Sequence, residues 1–392
     1  MTDPKLLDYC QTDRQREILE ALIRCGSKRA AAKDLGAAPA MIRKTLYRVE
    51  RYAATKGYSP KHGIVRPLPE HLMLTGSSAL VNETTGATVM QWYKSGVDRH
   101  SLREMMIASA NAMAETLPRE KPIAAPEYVL DDMLSTYVIT DLHVGMLAWQ
   151  EEGGDNWNLK IAENALYDWA AKATSMVPKS KRAILAQLGD HIHHDSLDSV
   201  TPANRHSLDA DSRYPKIVGA TVRGLRRIIQ MLLSHHEEVV VLMVEGNHDP
   251  IGSVWLREMF YALYEDEPRV TVDKSPLPYY CVEHGNTSVL FSHGHLKKPK
   301  EIAEVFAAQF RNIIGRTKYS YAHMGHMHHS LVHETPLMII EQHQTLAAKD
   351  AYAARGGWHS QRGAQVITYS AEHGEIGRVR IPFSMIRREE EE

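Results

Sequence analysis

Five short polar motifs, each containing Asp, Asn or His, occur along the last two-thirds of the sequence. Each motif begins where an apolar run typical of a buried strand ends. In an α/β sandwich such strand ends lie along one edge, so loops distant in sequence can meet in one crevice. Carboxylate, amide and imidazole groups suit hard and borderline divalent ions, so the motifs predict a metal site. They are DLH at 141–143, GD at 189–190, GNHD at 246–249, SHG at 292–294 and GHMH at 325–328.

In this order and with these residues, the chain resembles the calcineurin-like metallophosphoesterase family over residues 135–383. The resemblance implies an α/β fold in which a two-sheet β-sandwich is flanked by helices. It also implies a centre of two divalent ions, with Mn²⁺ as the first choice and Fe²⁺, Zn²⁺ or Mg²⁺ as alternatives. The implied ligands are Asp141, His143 and His328 for one ion, Asn247, His293 and His326 for the other, and Asp190 as the bridge between them.

The resemblance gives the remaining two residues of GNHD a catalytic role. His248 would stabilise charge on the phosphoryl oxygens or protonate the leaving group, and Asp249 would orient its ring. A hydroxide shared by the two ions would attack phosphorus in line. The other histidines of the GDHIHHD stretch, His191, His193 and His194, are either ordinary loop residues or groups that touch metal or phosphate.

Several residues beside the motifs are expected to position a phosphoester. One is a second histidine after SHG, and the others are basic side chains after SHG and ahead of GHMH. For the basic side chains, a solvated surface is the alternative interpretation. The predicted substrate contacts are His295, Lys297, Lys298, Lys300, Arg316 and Lys318.

Length and composition indicate a multidomain globular protein. The 392 residues exceed what one hydrophobic core usually holds, so two or more domains are expected. A net charge of −2 excludes a globally basic surface, and any contact with nucleic acid must come from a local patch. The three scattered cysteines, the absence of a signal-peptide pattern and the lack of a long apolar run predict a cytoplasmic protein without membrane contact.

The first 60 residues predict three short helices. An apolar face recurs from Asp13 to Cys25, Gly26 ends that helix, and Ser27 can cap a second one. Pro39 suits the first turn of a third helix. Three helices with a tight glycine-containing turn between the second and the third form a helix-turn-helix pattern, and the segment resembles many DNA-binding domains of that kind.

The charge of this segment favours contact with DNA. Residues 28–56 contain eight basic and two acidic side chains, a local net charge of +6. On the third helix a basic face opposes the apolar face, as in helices that enter a DNA groove. A module that docks a partner protein or assembles the chain is the alternative. The predicted DNA contacts are Arg43, Lys44, Arg48 and Arg51.

The chain is therefore expected to have four parts. Residues 1–60 form the helix-turn-helix domain. Residues 61–133 form a connector with a β-hairpin, turned near 83–86, and a helix over Val97 to Leu117. Residues 134–386 form the catalytic domain, in which strands and helices alternate before a β-rich end. Residues 387–392 form a solvated tail.

These features predict a dimetal phosphodiesterase that hydrolyses DNA. The sequence after Asp190 differs from the GDxVDRG pattern of the Ser/Thr phosphatases and is nearer the DNA-repair exonuclease branch. The whole arrangement also looks like phosphoesterases of tailed bacteriophages. The alternative is a hydrolase of small phosphoesters, such as a cyclic nucleotide phosphodiesterase, whose N-terminal domain docks a partner. A DNA-binding regulator with an inactive catalytic half is disfavoured because every ligand position is intact. Repair nucleases of this family tend to dimerise, so a homodimer is left open.

Overall fold

The computed structural model of the chain describes residues 2–62, 64–65, 72–81, 88–97, 123–203 and 205–388. The chain divides into two compact units, Met1–Met105 and Met106–Glu392. Among the described residues, no helix combines the length and the apolar composition that a membrane crossing requires.

Three helices form the core of the first unit: α1 (Asp13–Cys25), α2 (Lys28–Asp34) and α3 (Pro39–Thr55). The Ser27 side chain accepts a hydrogen bond from the backbone of Ala30 and begins α2, as the capping pattern predicts. Gly26 adopts a left-handed φ of 71° and ends α1. The three predicted helices are therefore confirmed. Their apolar faces pack into one buried cluster that includes Leu6, Ile18, Leu19, Leu22, Ala31, Ile42, Leu46, Val49 and Ala53.

Two short strand pairs follow α3 in the first unit. Strand β1 (Tyr58–Ser59) pairs with β2 (Ile64–Val65), and β3 (Leu72–Val81) pairs with β4 (Thr88–Val97), both antiparallel. The second pair has the strands of the predicted hairpin, while its turn at 83–86 lies outside the described residues. Of the helix predicted over Val97 to Leu117, Val97 belongs to β4 and the rest lies outside the described residues.

The second unit alternates strands and helices before it becomes rich in strands. Its described helices are α4 (Gln150–Gly153), α5 (Leu159–Met176), α6 (Tyr214–His235), α7 (Gly252–Leu263), α8 (Pro299–Gln309), α9 (Arg311–Ile314) and α10 (Ala351–Arg355). Its described strands are β5 (Leu130–Ile139), β6 (Ser180–Gln187), β7 (Glu238–Met243), β8 (Val270–Val272), β9 (Tyr280–His284), β10 (Thr287–Phe291), β11 (Tyr319–Met324), β12 (Leu331–Glu334), β13 (Ile339–Gln342), β14 (Gly363–Ser370) and β15 (Gly374–Pro382).

These strands form two sheets. The first has the order β15-β14-β5-β6-β7-β8, and β5 to β8 run parallel because the helices α5, α6 and α7 cross over between them. The second has the order β12-β13-β11-β10-β9, in which β10, β11 and β13 run parallel. Polar residues that follow these parallel strands are thereby collected at carboxyl edges.

Buried apolar side chains join the layers. The helices α5, α6 and α7 cover the first sheet with residues such as Trp169, Leu225 and Phe260. Between the two sheets pack Phe291 and Tyr369, among others. Helix α8 covers the other face of the second sheet. The predicted two-sheet sandwich flanked by helices is confirmed.

A buried polar network also lies between the sheets. The Nε2 atom of His343 is 2.9 Å from Nδ1 of His323, whose own Nε2 is 2.7 Å from the Tyr369 hydroxyl. The amide of Gln365 donates to Nδ1 of His343 and to the carboxylate of Glu341, at 2.8 and 2.7 Å. His323, Glu341 and His343 are close enough to hold a cation. One arrangement of protons already satisfies both neutral rings, however, and a satisfied network of this kind fixes the packing of the layers.

This network predicts a pH dependence of stability. Burial lowers the pKa of His323 to about 3 and that of His343 to about 4. The imidazoles of the unfolded chain take up protons near pH 6.5, whereas the buried imidazoles of the folded chain stay neutral to a lower pH. Their contribution to the free energy of unfolding is therefore full above about pH 6.5 and is lost as the pH falls towards 4. We expect His343→Gln to lower the free energy of unfolding at pH 7 and to flatten its decline between pH 6.5 and 4. Urea unfolding at several pH values measures this effect.

The matched control is His373→Gln, because His373 is exposed on the same unit. It should retain the pH dependence of the original chain. An unchanged pH dependence in His343→Gln would contradict the assignment of a buried neutral imidazole.

Candidate metal centre

The five motifs occupy loops at the carboxyl ends of β5, β6, β7, β10 and β11. Hydrogen bonds tie these loops together across the two sheets. The backbone amide of Asp141 donates to the Gly189 carbonyl at 3.1 Å, and the His293 ring contacts the Leu188 carbonyl at 2.7 Å. The structure thereby brings all seven predicted ligands into one cleft.

The ligands form two groups with the spacing that bound ions require. In the first group, Nε2 of His328 lies 3.1 Å from the Asp141 carboxylate and 3.4 Å from Nε2 of His143. In the second, Nε2 of His293 lies 3.2 Å from the oxygens of both Asn247 and Asp190. Atoms that bind one ion at 2.0–2.2 Å are separated by roughly 3.0–3.4 Å. The side chains therefore fit two divalent ions, with His326 completing the second group.

Neighbouring groups fix the orientation of the ligand side chains. The Nδ1 atom of His293 donates to the Leu188 carbonyl, which turns Nε2 towards Asn247 and Asp190. One oxygen of Asp141 accepts the backbone amide of His326 at 2.9 Å, while the other faces His328. Such partners hold a ligand in the binding conformation before the ion arrives.

Charge in the cleft favours cations. Burial opposes ionisation of Asp141 and Asp190, but the surrounding histidines outweigh it and hold the pKa of both carboxyl groups below its ordinary range. Burial would also lower the pKa of His293, yet the carboxylates of Asp190 and Asp141 raise it to about 10. The buried carboxylates of Asp141 and Asp190 stabilise positive charge in the cleft. A pair of divalent ions would supply that charge.

The backbone is strained at the ligands. Among the described non-glycine residues, six have φ between +48° and +73°. This left-handed region costs about 1–3 kcal/mol for such residues and persists where the surrounding structure enforces it. Five of the six are predicted ligands: Asp141, His143, Asp190, His326 and His328.

Two glycines of the motifs are required by close approach between loops. A Cβ atom at Gly246 would collide with the carboxylate and the amide of Asp190. A Cβ atom at Gly325 would collide with the side chains of Thr140 and Asp141. The glycines of GNHD and GHMH therefore allow ligands from separate loops to share the cleft.

Asp249 has a different task from the one predicted. Its carboxylate is buried and accepts four backbone N–H groups at 2.7–3.1 Å. Because those amides occupy both oxygens, the prediction that Asp249 orients the His248 ring is wrong. Asp249 instead holds the loop after β6 against the loop after β7. The four donors belong to Asp190, His191, Ile192 and Gly246.

The His248 ring is oriented by a carbonyl group. Its Nδ1 atom donates to the backbone oxygen of His193 at 2.8 Å, which leaves Nε2 for other contacts. The ring centroid lies 4.8 Å from that of His143 and 5.6 Å from that of His193, whose ring is nearly parallel to it. Of the three histidines left open by the sequence, the structure thus places His193 in contact with a predicted ligand and with His248. Nδ1 of His194 bonds instead to the Ser196 carbonyl.

A second buried carboxylate, Asp195, was not identified from the sequence. It accepts the backbone amides of Ile251 and Gly252 at the start of α7 and the Tyr214 hydroxyl at 3.2 Å. Asp249, in the loop after β7, therefore accepts amides of the loop after β6. Asp195, in the loop after β6, accepts amides of the segment after β7. We call this pair of carboxylates the loop clasp. Asp195 ends the GDHIHHD stretch, but the residue type alone does not show which amides it accepts, since that depends on loop geometry.

The predicted substrate contacts after SHG lie at the same edge as the ligands. The His295 ring centroid is 5.2 Å from that of His293 and 6.3 Å from that of His326. Lys297, Lys298 and Lys300 are exposed in the segment that follows β10. Their contact with substrate stays a prediction.

The prediction that Arg316 and Lys318 lie beside the metal ligands is wrong. Both precede β11, whereas His326 follows it, and six strand residues span roughly 20 Å. The Arg316 guanidinium also forms a two-pronged ion pair with Glu283, at 2.5 and 2.6 Å. These two cations therefore lie at the opposite end of the strand from the cleft.

In the first unit, the predicted DNA contacts share the exposed face of α3. Its buried face carries Ile42, Leu46, Val49 and Ala53. Their contact with DNA stays a prediction. The exposed residues are Arg43, Lys44, Arg48 and Arg51.

The model of the calcineurin-like phosphoesterase family matches residues 134–367. The match covers more than half of the chain, so the protein belongs to this family of metal-dependent hydrolases. No curated protein matches the chain.

Several solved structures are similar in fold over most of their own length. A novel archaeal phosphodiesterase has 10% identity and a TM-score of 0.32, with 64% of this chain and 99% of that chain covered. A predicted phosphoesterase from Streptococcus pneumoniae has 10% identity and a TM-score of 0.29, with 64% and 98% covered. Vps29 from Entamoeba histolytica complexed with Zn²⁺ has 11% identity and a TM-score of 0.26, with 64% and 99% covered. Likenesses this weak carry no argument about activity.

The loop clasp predicts that Asp195 supports metal binding without being a ligand. Asp195→Ala would leave two buried amides without an acceptor, at about 1–3 kcal/mol each. We expect it to weaken Mn²⁺ binding by about 10- to 100-fold, the usual cost of removing a group that supports a ligand. Asp195→Asn keeps one acceptor oxygen for Ile251 and Gly252 and should bind Mn²⁺ nearly as the original chain does. Calorimetric titration with Mn²⁺ compares the two variants, and equal affinity in both would rule out the clasp.

Proposed function

We propose that the protein is a metal-dependent phosphodiesterase that hydrolyses DNA and belongs near the DNA-repair exonuclease branch of its family. The observation that carries the proposal is the convergence of seven ligand side chains in two groups beside His248. The local charge of +6 over residues 28–56, in a chain with a net charge of −2, supports DNA as the substrate. The resemblance to tailed-phage phosphoesterases agrees with this assignment.

The side chains of the cleft divide the chemistry. The Asp190 carboxylate lies 3.2 Å from Nε2 of His293 in the second group and is proposed to bridge the two groups. Two divalent ions held there would neutralise the phosphoryl oxygens and lower the pKa of a water molecule, and Mn²⁺ is the ion we propose. The His193 carbonyl fixes Nδ1 of His248 as a donor, so the protonated ring can donate through Nε2 to a phosphoryl oxygen or to the leaving oxygen. His295, beside the second group, is proposed to contact the phosphodiester.

A polymeric substrate needs contacts beyond the scissile phosphate. Lys297, Lys298 and Lys300 are exposed in the segment after β10 and are proposed to hold the backbone near the cleft. The basic face of α3 is proposed to hold a more distant part of the strand.

A hydrolase of small phosphoesters is the second candidate. The location of Arg316 and Lys318 at the far end of β11 favours it, because two of the cations expected to hold a backbone lie away from the cleft. In that case the first unit would dock a partner.

One assay separates these functions. The protein is incubated with Mn²⁺ and with labelled single- and double-stranded DNA, bis-p-nitrophenyl phosphate, p-nitrophenyl phosphate or a cyclic nucleotide. Cleavage of DNA that is lost in Asp190→Asn supports the nuclease. Hydrolysis of only the small esters would overturn it in favour of the second candidate.

We expect His248→Ala to separate catalysis from metal binding. The variant should bind two metal ions but lose kcat by about 10²- to 10⁴-fold, the range for a positioned acid or base. If His248 protonates the leaving group, the loss should shrink for an ester with a good leaving group. Metal analysis and steady-state kinetics measure the two effects. The control is His329→Ala, since His329 is exposed beside GHMH. An unchanged kcat in His248→Ala would remove His248 from the mechanism.

The α3 face predicts a salt-dependent contact with DNA. Four phosphate contacts give log K a slope near −3.6 against log salt, which is roughly a tenfold loss of affinity for each doubling of salt. Replacing Arg43, Lys44, Arg48 and Arg51 together by Ala should weaken binding to long DNA and flatten this slope. Hydrolysis of bis-p-nitrophenyl phosphate should stay within about twofold, because a tether changes only the local substrate concentration.

The control for this variant replaces two exposed lysines of the second unit, Lys172 and Lys179, by Ala. Fluorescence anisotropy at several salt concentrations compares the proteins. An unchanged slope in the fourfold variant would show that α3 is a docking or assembly surface.

A further inference from the structure

The first unit contains a cavity of about 510 Å³. It is bounded by the 3₁₀ turn Pro4–Tyr9, the α3 helix and the segment Tyr58–His62. Its apolar lining includes Leu6, Leu22 and Leu46. Sites for small molecules have volumes of about 300–1,000 Å³, so this cavity has the size of a ligand site, with a lining in which polar and charged side chains stand beside the leucines.

The acidic side chains that line the cavity are already engaged. Asp3 accepts hydrogen bonds from the Tyr58 hydroxyl and from the backbone of Lys5. Glu50 pairs with Lys61 at 2.6 Å. The charge of Glu50 is therefore balanced by Lys61, whereas Asp3 keeps its negative charge. With Lys28, Arg51 and Lys61 against Asp3 and Glu50, the lining carries three positive and two negative charges, a net charge of +1, which favours an anion.

Two cationic side chains also line the cavity. Lys28, at the start of α2, and Arg51, on α3, form no ion pair with any side chain in the described ranges. A guanidinium and an ammonium group in the lining of one cavity match a phosphate or carboxylate group, which the guanidinium can hold with two parallel hydrogen bonds.

An aromatic ring completes the lining. Tyr47 stands one helical turn before Arg51 on α3, and 63% of its surface is exposed. An exposed ring on a helix offers a flat face to a nucleobase, and such stacking contributes about 1–3 kcal/mol per base. The cavity thus combines an exposed aromatic ring, three leucines and two cations that form no ion pair within the described part of the chain.

We propose that this cavity binds one nucleotide, with its base against Tyr47 and its phosphate on Lys28 and Arg51. The choice of a nucleotide among organic anions rests on the proposed nuclease function, since cleavage of DNA leaves phosphorylated ends and mononucleotides. Both sources present the same base and phosphate. Arg51 then contacts this nucleotide, whereas Arg43, Lys44 and Arg48 are absent from the lining and stay available to the duplex backbone.

The test is calorimetric titration of the full chain in EDTA, which keeps metal ions from recruiting phosphate to the other unit. The probes are dAMP, deoxyadenosine and a short 5′-phosphorylated single strand. We expect dAMP or the phosphorylated strand to bind, and deoxyadenosine to bind at least tenfold more weakly. Binding of dAMP alone identifies a free nucleotide as the occupant, and binding of the strand alone identifies a strand end.

Matched variants locate the site. Lys28→Ala and Arg51→Ala should each weaken binding at least tenfold, whereas Lys33→Ala, exposed on the same helix as Lys28 and outside the lining, should leave it unchanged. Ala54→Phe places a ring in the cavity and should abolish binding, with the fold checked by circular dichroism. Unchanged binding in Lys28→Ala and Arg51→Ala, equal binding of deoxyadenosine, or binding of neither nucleotide probe would overturn the proposal. Nucleotide binding by a chain that does not cleave DNA in Mn²⁺ would instead overturn the nuclease and leave the cavity assignment standing.

Discussion

The cleft depends on buried carboxylates that accept backbone amides from a neighbouring loop. Asp249 accepts three such amides and one from its own loop, and Asp195 accepts two, so the loops after β6 and β7 cannot separate without leaving buried donors unsatisfied. Those loops carry Asp190, Asn247 and His248. The relative position of the proposed bridging ligand and the proposed acid is therefore set by main-chain hydrogen bonds and not by side-chain packing alone.

The clasp also places two ionisable carboxyl groups beside the ligands. Burial and the nearby Asp190 raise the pKa of Asp249 to about 6, and burial and Asp249 raise that of Asp195 to about 8. A cation in the cleft would favour the ionised form of Asp249, which is the form that accepts amides with both oxygens. Metal binding would then strengthen the hold of Asp249 on the loop after β6.

Much of this arrangement is predictable from residue type and periodicity. Apolar runs predict the strands, caps such as Ser27 predict the helix ends, and the ligands are recognisable because few side chains bind divalent ions. Side chains that act on backbone groups leave no such mark, which explains why Asp195 was missed and Asp249 was misassigned. Arg316 and Lys318 were misplaced because they are close to GHMH in sequence, while the length of β11 separates them in space.

The left-handed backbone of the ligands has a consequence for substitutions at these positions. Asn tolerates that conformation better than Asp or His does, and Gly adopts it without strain. Replacement of Asp141 or Asp190 by Asn would thus relieve backbone strain but would also remove a carboxylate that the surrounding histidines stabilise. Strain and charge therefore oppose each other at these positions, and the left-handed backbone persists because the charged contacts of the cleft enforce it.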